Sequence, residues 1–64
     1  MGDTKARILQ EALALFSREG YEAVSVSQIA GALDMTKGAL YKHYKSKRDI
    51  FESILSAMEQ RDAS

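Results

Sequence analysis

The sequence predicts an all-α protein, a three-helix bundle followed by the start of a fourth helix. Three observations carry that expectation. Apolar residues recur at helical spacing near both ends of the chain. Capping residues or stop signals frame four separate segments. A run of basic residues without an acidic one, from Thr36 to Arg48, coincides with the third segment and the start of the fourth.

The first helix is predicted over about residues 4–19. Ile8, Ala12, Leu15 and Phe16 follow i, i+4, i+7, i+8, with Leu9 and Leu13 flanking the stripe. Asp3 or Thr4 can cap its start, and Gly20 ends it. The second helix, about residues 26–33, is announced by Ser25-Val26-Ser27-Gln28. This is a capping box, in which the Ser25 hydroxyl accepts from the Gln28 N–H and the Gln28 side chain reaches back. Val24 and Ile29 form a hydrophobic staple around it, and Ile29, Ala30 and Leu33 face inward.

After a tight Asp34-Met35 turn, Thr36 caps a third helix over about residues 37–44. Leu40 and Tyr44, at i and i+4, form its buried stripe, while Lys37, Gly38, Tyr41 and Lys42 fall on the opposite side. Gly38 costs up to about 1 kcal/mol of helix propensity against Ala. That cost makes sense where something approaches the backbone closely; a tolerated first-turn glycine is the alternative. Ser46 caps the fourth helix, with Asp49 at N3 as a short capping box. Ile50, Ile54 and Met58 make one row, Phe51 and Leu55 a second, and the helix can run to the end of the chain. Its last apolar residues have little left to pack against, as expected of a piece of a larger helical body.

Charge is distributed unevenly. The 64 residues are formally neutral. Residues 1–34 carry a net −2, residues 35–48 a net +5 and residues 49–64 a net −3. A neutral pI is not the usual footprint of a nucleic-acid binder, so the local patch of Lys37, Lys42, Lys45, Lys47 and Arg48 has to supply the attraction. Charge alone fits a solvated helix face equally well. Lys45 and Arg48 have a plainer reading, as i,i+4 partners of Asp49 and Glu52.

Size and composition narrow the classes further. A chain this short makes one small domain, burying only about 60% of its unfolded surface. Without cysteine there is no disulfide, thiolate nucleophile or Cys-based zinc site. A single histidine does not build a His-rich metal site. No cofactor and no metal are expected. His43, Ser46 and Asp49 lack the pocket and the buried orienting carboxylate of a triad, so no catalytic residue and no enzyme are expected. The N-terminus lacks the apolar region of a signal peptide, and no run approaches a membrane span. The expected location is cytoplasmic, with the nucleoid.

Two short helices joined by a tight turn, after a longer one, form a helix-turn-helix, homeodomain-like bundle. Such a unit offers the N-terminal half of its second helix to the DNA major groove, where the basic window begins.

Three strings then carry a family resemblance. They are Phe16-Ser17-Arg18-Glu19-Gly20-Tyr21, Ser25-Val26-Ser27-Gln28-Ile29-Ala30, and Thr36-Lys37-Gly38-Ala39-Leu40-Tyr41-Lys42-His43-Tyr44-Lys45-Ser46-Lys47. Together they resemble the N-terminal DNA-binding domain of TetR/AcrR-type transcriptional regulators, over about residues 6–55. The resemblance implies a DNA-reading head over residues 1–46. Residues 47–64 would be a connecting helix leading to a C-terminal ligand-binding and dimerisation domain. The implied partners are double-stranded DNA with a palindromic operator, a second copy of the chain, and a small-molecule effector on the C-terminal domain.

By resemblance, Lys37, Gly38 and Ala39 approach base edges, and Lys42 reaches a base or a phosphate. Tyr41, His43, Thr36, Ser25, Ser27 and Lys47 match phosphate-contacting positions, Lys47 jointly with a helix N-terminus. The family turn usually has a small residue, Gly and an aliphatic residue, where this chain has Leu33, Asp34 and Met35. The alternative from a different class is a helical protein-interaction module that uses the Phe51, Leu55 and Met58 face.

Overall fold

A computed structural model describes residues 3–63, and the side-chain surroundings of residues 3–60. Helix α1 covers Thr4–Glu19, and a single 3₁₀ turn follows over Tyr21–Ala23. Helix α2 covers Val26–Ala32, α3 Lys37–Tyr41 and α4 Lys47–Ala63. The described residues contain helices and turns only, as the sequence predicts. Ser64, to which the fourth helix was expected to run, lies outside the described residues.

Helix α1 starts at Asp3, whose side chain accepts from the Lys5 N–H at 3.1 Å, and ends at Gly20. There the chain turns at φ +91°, which glycine adopts without a Cβ penalty, and the Gly20 N–H closes the helix on the Phe16 carbonyl. The apolar stripe read from the sequence is the buried one, Ile8, Ala12, Leu15 and Phe16. Leu9 is half-buried against the core, and Leu13 is exposed.

Helix α2 ends in a full Schellman closure. The Met35 N–H donates to the Ala30 carbonyl at 3.0 Å, and the Asp34 N–H to the Gly31 carbonyl at 3.1 Å. Asp34 sits at φ +56° to allow this. Aspartate takes the position that glycine usually fills, because it is among the residues least penalised in the left-handed region. Asp34→Gly is expected to raise the melting temperature by a few degrees, from about 0.5–1 kcal/mol of relieved strain net of glycine's extra unfolded entropy. Asp34→Val should lose about 1–2 kcal/mol. Thermal unfolding followed by far-UV circular dichroism measures both. A lower melting temperature for Asp34→Gly would mean that the carboxylate makes a stabilising contact outweighing the strain.

Helix α3 is shorter than the predicted 37–44 span and stops at Tyr41. The last turn tightens, with the Lys42 N–H on the Ala39 carbonyl and the Leu40 carbonyl shared by the His43 and Tyr44 N–H groups. The chain is then committed to capping α4. Ser46 Oγ accepts from the Asp49 N–H at 3.1 Å, and Asp49 Oδ2 accepts from the Lys45 N–H at 3.0 Å. The Ser46 half of the expected box forms, but the carboxylate reaches one residue past the cap, to the Lys45 N–H instead of the Ser46 N–H, and this changes the reading of Lys45. Asp49 meets the Lys45 backbone, not its ammonium, because the cap takes the carboxylate first. The Arg48–Glu52 pair forms as expected, at 3.0 Å.

The core gathers one face from every helix: Ile8, Ala12, Leu15 and Phe16 with Val24, Ile29, Ala30, Leu40, Tyr44, Ile50 and Ile54. Helix α1 packs on α4 and α2, and α2 packs on α3. Phe16, Tyr21 and Phe51 form an aromatic cluster with ring centroids 5.1–6.0 Å apart, within the range of favourable tilted and edge-to-face contacts. Beyond Ile54 the α4 rows open to solvent, and Leu55 and Met58 are about half exposed.

Candidate nucleic-acid interface

Five residues of regular helix do not persist in water on their own, so α3 is held by its ends and by one anchor. At its start Thr36 Oγ1 accepts from the Ala39 N–H at 3.1 Å. In its middle Leu40 is wholly buried. Tyr44 is buried past its end, and the Lys5 ammonium lies 5.7 Å from the Tyr44 ring centroid. Burial, with the nearby Asp3 and Asp49 charges, raises the Tyr44 phenol above the ordinary tyrosine range.

Anchoring α3 by Leu40 turns its other side outward. Lys37, Gly38, Tyr41 and Lys42 are all exposed, while Ala39 and His43 are half-buried beside them. Lys37 and Tyr41 are one turn apart, as are Gly38 and the C-cap residue Lys42, so the four make two adjacent columns along α3 and its cap. The helix is about 8 Å long and the DNA major groove about 12 Å wide. A Cβ built on Gly38 meets no atom within 4 Å, so nothing inside the chain requires glycine there. Among the described residues the ion pairs are Arg18–Glu19 and Arg48–Glu52. Among those residues neither Lys37 nor Lys42 has an ion-pair partner.

Helix α2 presents Ser25 and Ser27, both exposed, at its N-terminus. Ser25 Oγ accepts from the Gln28 N–H at 3.1 Å, which leaves its hydroxyl proton free to donate. The second half of the expected capping box is absent. The Gln28 side chain turns away from Ser25 and donates to both carboxylate oxygens of Glu19, each at 3.0 Å. That bond, with a smaller one from Arg18, holds the Glu19 carboxyl below the ordinary glutamate range. It also ties the end of α1 to the start of α2, a link that no local spacing announces.

Lys47 differs from the other candidates. Its half-buried ammonium points into the protein, donating to the Tyr21 carbonyl at 2.7 Å and the Val24 carbonyl at 2.9 Å. It also lies 4.2 Å from the centroid of the Tyr21 ring, within cation–π range. Of the expected contact residues, Lys37 and Lys42 are thus the basic ones that face solvent, alongside the exposed Thr36, Tyr41, Ser25 and Ser27.

A buried-anchored short helix with a cationic outer face, set behind a second helix by a tight left-handed turn, defines a helix-turn-helix DNA-binding domain. Residues 8–54 match the family described as bacterial regulatory proteins, tetR family. The chain belongs to that family, and so to the helix-turn-helix regulators of transcription.

Among its relatives, the HTH-type transcriptional regulator AcrR of Shigella flexneri is 42% identical over 57 residues. That match covers 89% of this chain and 26% of AcrR. The biofilm operon icaADBC HTH-type negative transcriptional regulator IcaR of Staphylococcus aureus strain Newman is 38% identical over 48 residues, covering 75% of this chain and 26% of IcaR. The uncharacterized HTH-type transcriptional regulator YerO of Bacillus subtilis strain 168 is 37% identical over 59 residues, covering 92% and 19%. The chain thus spans about a quarter or less of the length of these relatives. Among the described residues, no helix is long and apolar enough to cross a membrane.

Proposed function

We propose that the chain is the operator-reading head of a dimeric, ligand-responsive transcriptional repressor. The observation that carries this is the exposed face of Lys37, Gly38 and Tyr41 on α3 with Lys42 at its C-cap, without an ion pair among the described residues and anchored from behind by Leu40. In this reading α3 lies in the major groove. Lys37 donates to guanine O6 or N7, Gly38 lets the helix backbone close on the bases, and Ala39 meets a thymine methyl. Lys42 reaches a base or a phosphate. Tyr41 and Thr36 donate hydroxyl protons to phosphates, His43 its ring N–H, and Ser25 and Ser27 hold the facing backbone from α2.

Repression is favoured by the likeness to IcaR, named a negative regulator. We read residues 47–64 as a connecting helix into a C-terminal domain that dimerises and binds the effector. Two heads would then span a palindromic operator, and the head would act in the cytoplasm, on the nucleoid.

Fluorescence anisotropy against a random-sequence duplex at several salt concentrations tests the reading. Each neutralised phosphate contributes about 0.9 to the slope of log affinity against log salt. After operator selection, Lys37→Ala is expected to lose about 1–3 kcal/mol at the preferred site and to relax base preference there. Tyr41→Phe should weaken all sites alike. Salt-independent binding, or a Lys37→Ala variant with unchanged preference, would sink the assignment. A second reading, as a protein-docking module, draws on the exposure of Leu55 and Met58, 47% and 49%, whereas Phe51, expected on the same face, packs into the aromatic cluster. Docking through that face would show little salt dependence.

A further inference from the structure

Lys47 has a partner set that a phosphate ligand does not need. A lysine ammonium has three N–H donors, and here two are spent at 2.7 and 2.9 Å on main-chain carbonyls of a segment more than twenty residues away. The Tyr21 ring packs beneath the same ammonium at 4.2 Å. Tyr21 is itself held between Phe16 and Phe51, so the contact ties into the aromatic cluster.

The carbonyls matter by where they stand. Tyr21 opens the 3₁₀ turn, and its carbonyl also accepts from the Val24 N–H. Val24 is the residue before Ser25, the cap of α2. Lys47 is the first residue of α4. One side chain therefore bridges the start of α4 to the segment that leads into α2. Charge-assisted bonds of this kind are roughly twice as strong as neutral ones. Helix α2 in turn packs on α3, so the bridge joins α4 to the segment that leads into the α2–α3 unit.

We infer that Lys47 is a positioning residue. It clasps the Tyr21–Val24 segment to α4 and so sets the orientation in which α2 and α3 meet DNA, without being a phosphate ligand itself. The inference rests on the DNA-reading function above and replaces the phosphate role expected of Lys47. The two roles differ in what they leave on the salt dependence. A phosphate ligand contributes to the slope, whereas a clasp changes affinity at every salt concentration while leaving the slope nearly in place.

The experiment compares the chain with Lys47→Met and Lys42→Met by anisotropy against one duplex across a salt series. It adds amide hydrogen exchange without DNA, and lysine ammonium ¹H–¹⁵N spectra of the unsubstituted chain with and without the duplex. The expected result for Lys47→Met is weaker binding at every salt concentration with a slope close to that of the parent, while Lys42→Met loses about 0.9 of slope. Exchange at the Ala23 and Val24 amides should accelerate by about tenfold or more, as the loss of a charge-assisted bond implies. In the parent, the Lys47 ammonium should be protected from solvent and its signal unmoved by the duplex. A Lys47→Met variant that loses about 0.9 of slope, with an ammonium signal that shifts on DNA, overturns the inference. So does an unprotected ammonium in the parent, a readout that holds even if Lys47→Met does not fold. If the parent shows a protected ammonium but no salt-dependent binding, the DNA-reading function has failed, and the positioning role is overturned with it.

Discussion

Leu40→Ala is expected to cost about 2–5 kcal/mol of stability. Leu40 is wholly buried and is the one core residue within the five residues of α3. A domain of this size holds roughly 3–10 kcal/mol in total, so the variant should melt at least about 10 °C lower or be largely unfolded. The loss should extend to function. Without Leu40 nothing docks α3 in its middle, and a helix this short does not form unsupported. Leu40→Met, which keeps volume, should cost less than about 1.5 kcal/mol. Urea and thermal unfolding of the pair measure the difference. A Leu40→Ala variant as stable as Leu40→Met would mean that α3 is held by its caps alone.

Gly38→Ala is expected to move stability and DNA affinity in opposite directions. Gly38 lies in the first turn of α3 and faces open space. A methyl there fits the folded chain, and alanine's helix propensity should stabilise the domain by up to about 1 kcal/mol. If the backbone at Gly38 lies against bases, the same methyl falls into a packed interface and costs about 1–3 kcal/mol of binding, roughly tenfold to a hundredfold. Thermal unfolding and anisotropy on the same preparation read both effects. A stabilised variant with undiminished affinity would identify Gly38 as an ordinary exposed helix residue, and the base contact would have to rest on Lys37 and Lys42.

Much of this architecture was legible because its signals are short-range. The stripe Ile8, Ala12, Leu15, Phe16, the Gly20 stop, and the caps at Ser25, Thr36 and Ser46 all operate within four residues, where the chain's own geometry makes them meet. The outward side of α3 was legible for the same reason, since placing Leu40 inside directs Lys37, Gly38, Tyr41 and Lys42 outward. The early end of α3 was not, because the Asp49 carboxylate takes the Lys45 N–H, which then does not continue the α3 ladder.

The long polar side chains mark the boundary. Gln28 has a local partner available in its capping box and uses a distant one, Glu19, nine residues back. Lys47 lies in a cationic run that reads as solvent-facing, yet its ammonium reaches carbonyls 23 and 26 residues away. Helix type, caps and buried stripes follow from neighbours in the chain, so the order of residues suffices for them. The destination of a flexible charged side chain depends on which carbonyls and carboxylates the packed helices bring within about 3 Å, and that proximity exists only once α1, α2 and α4 have closed around the core.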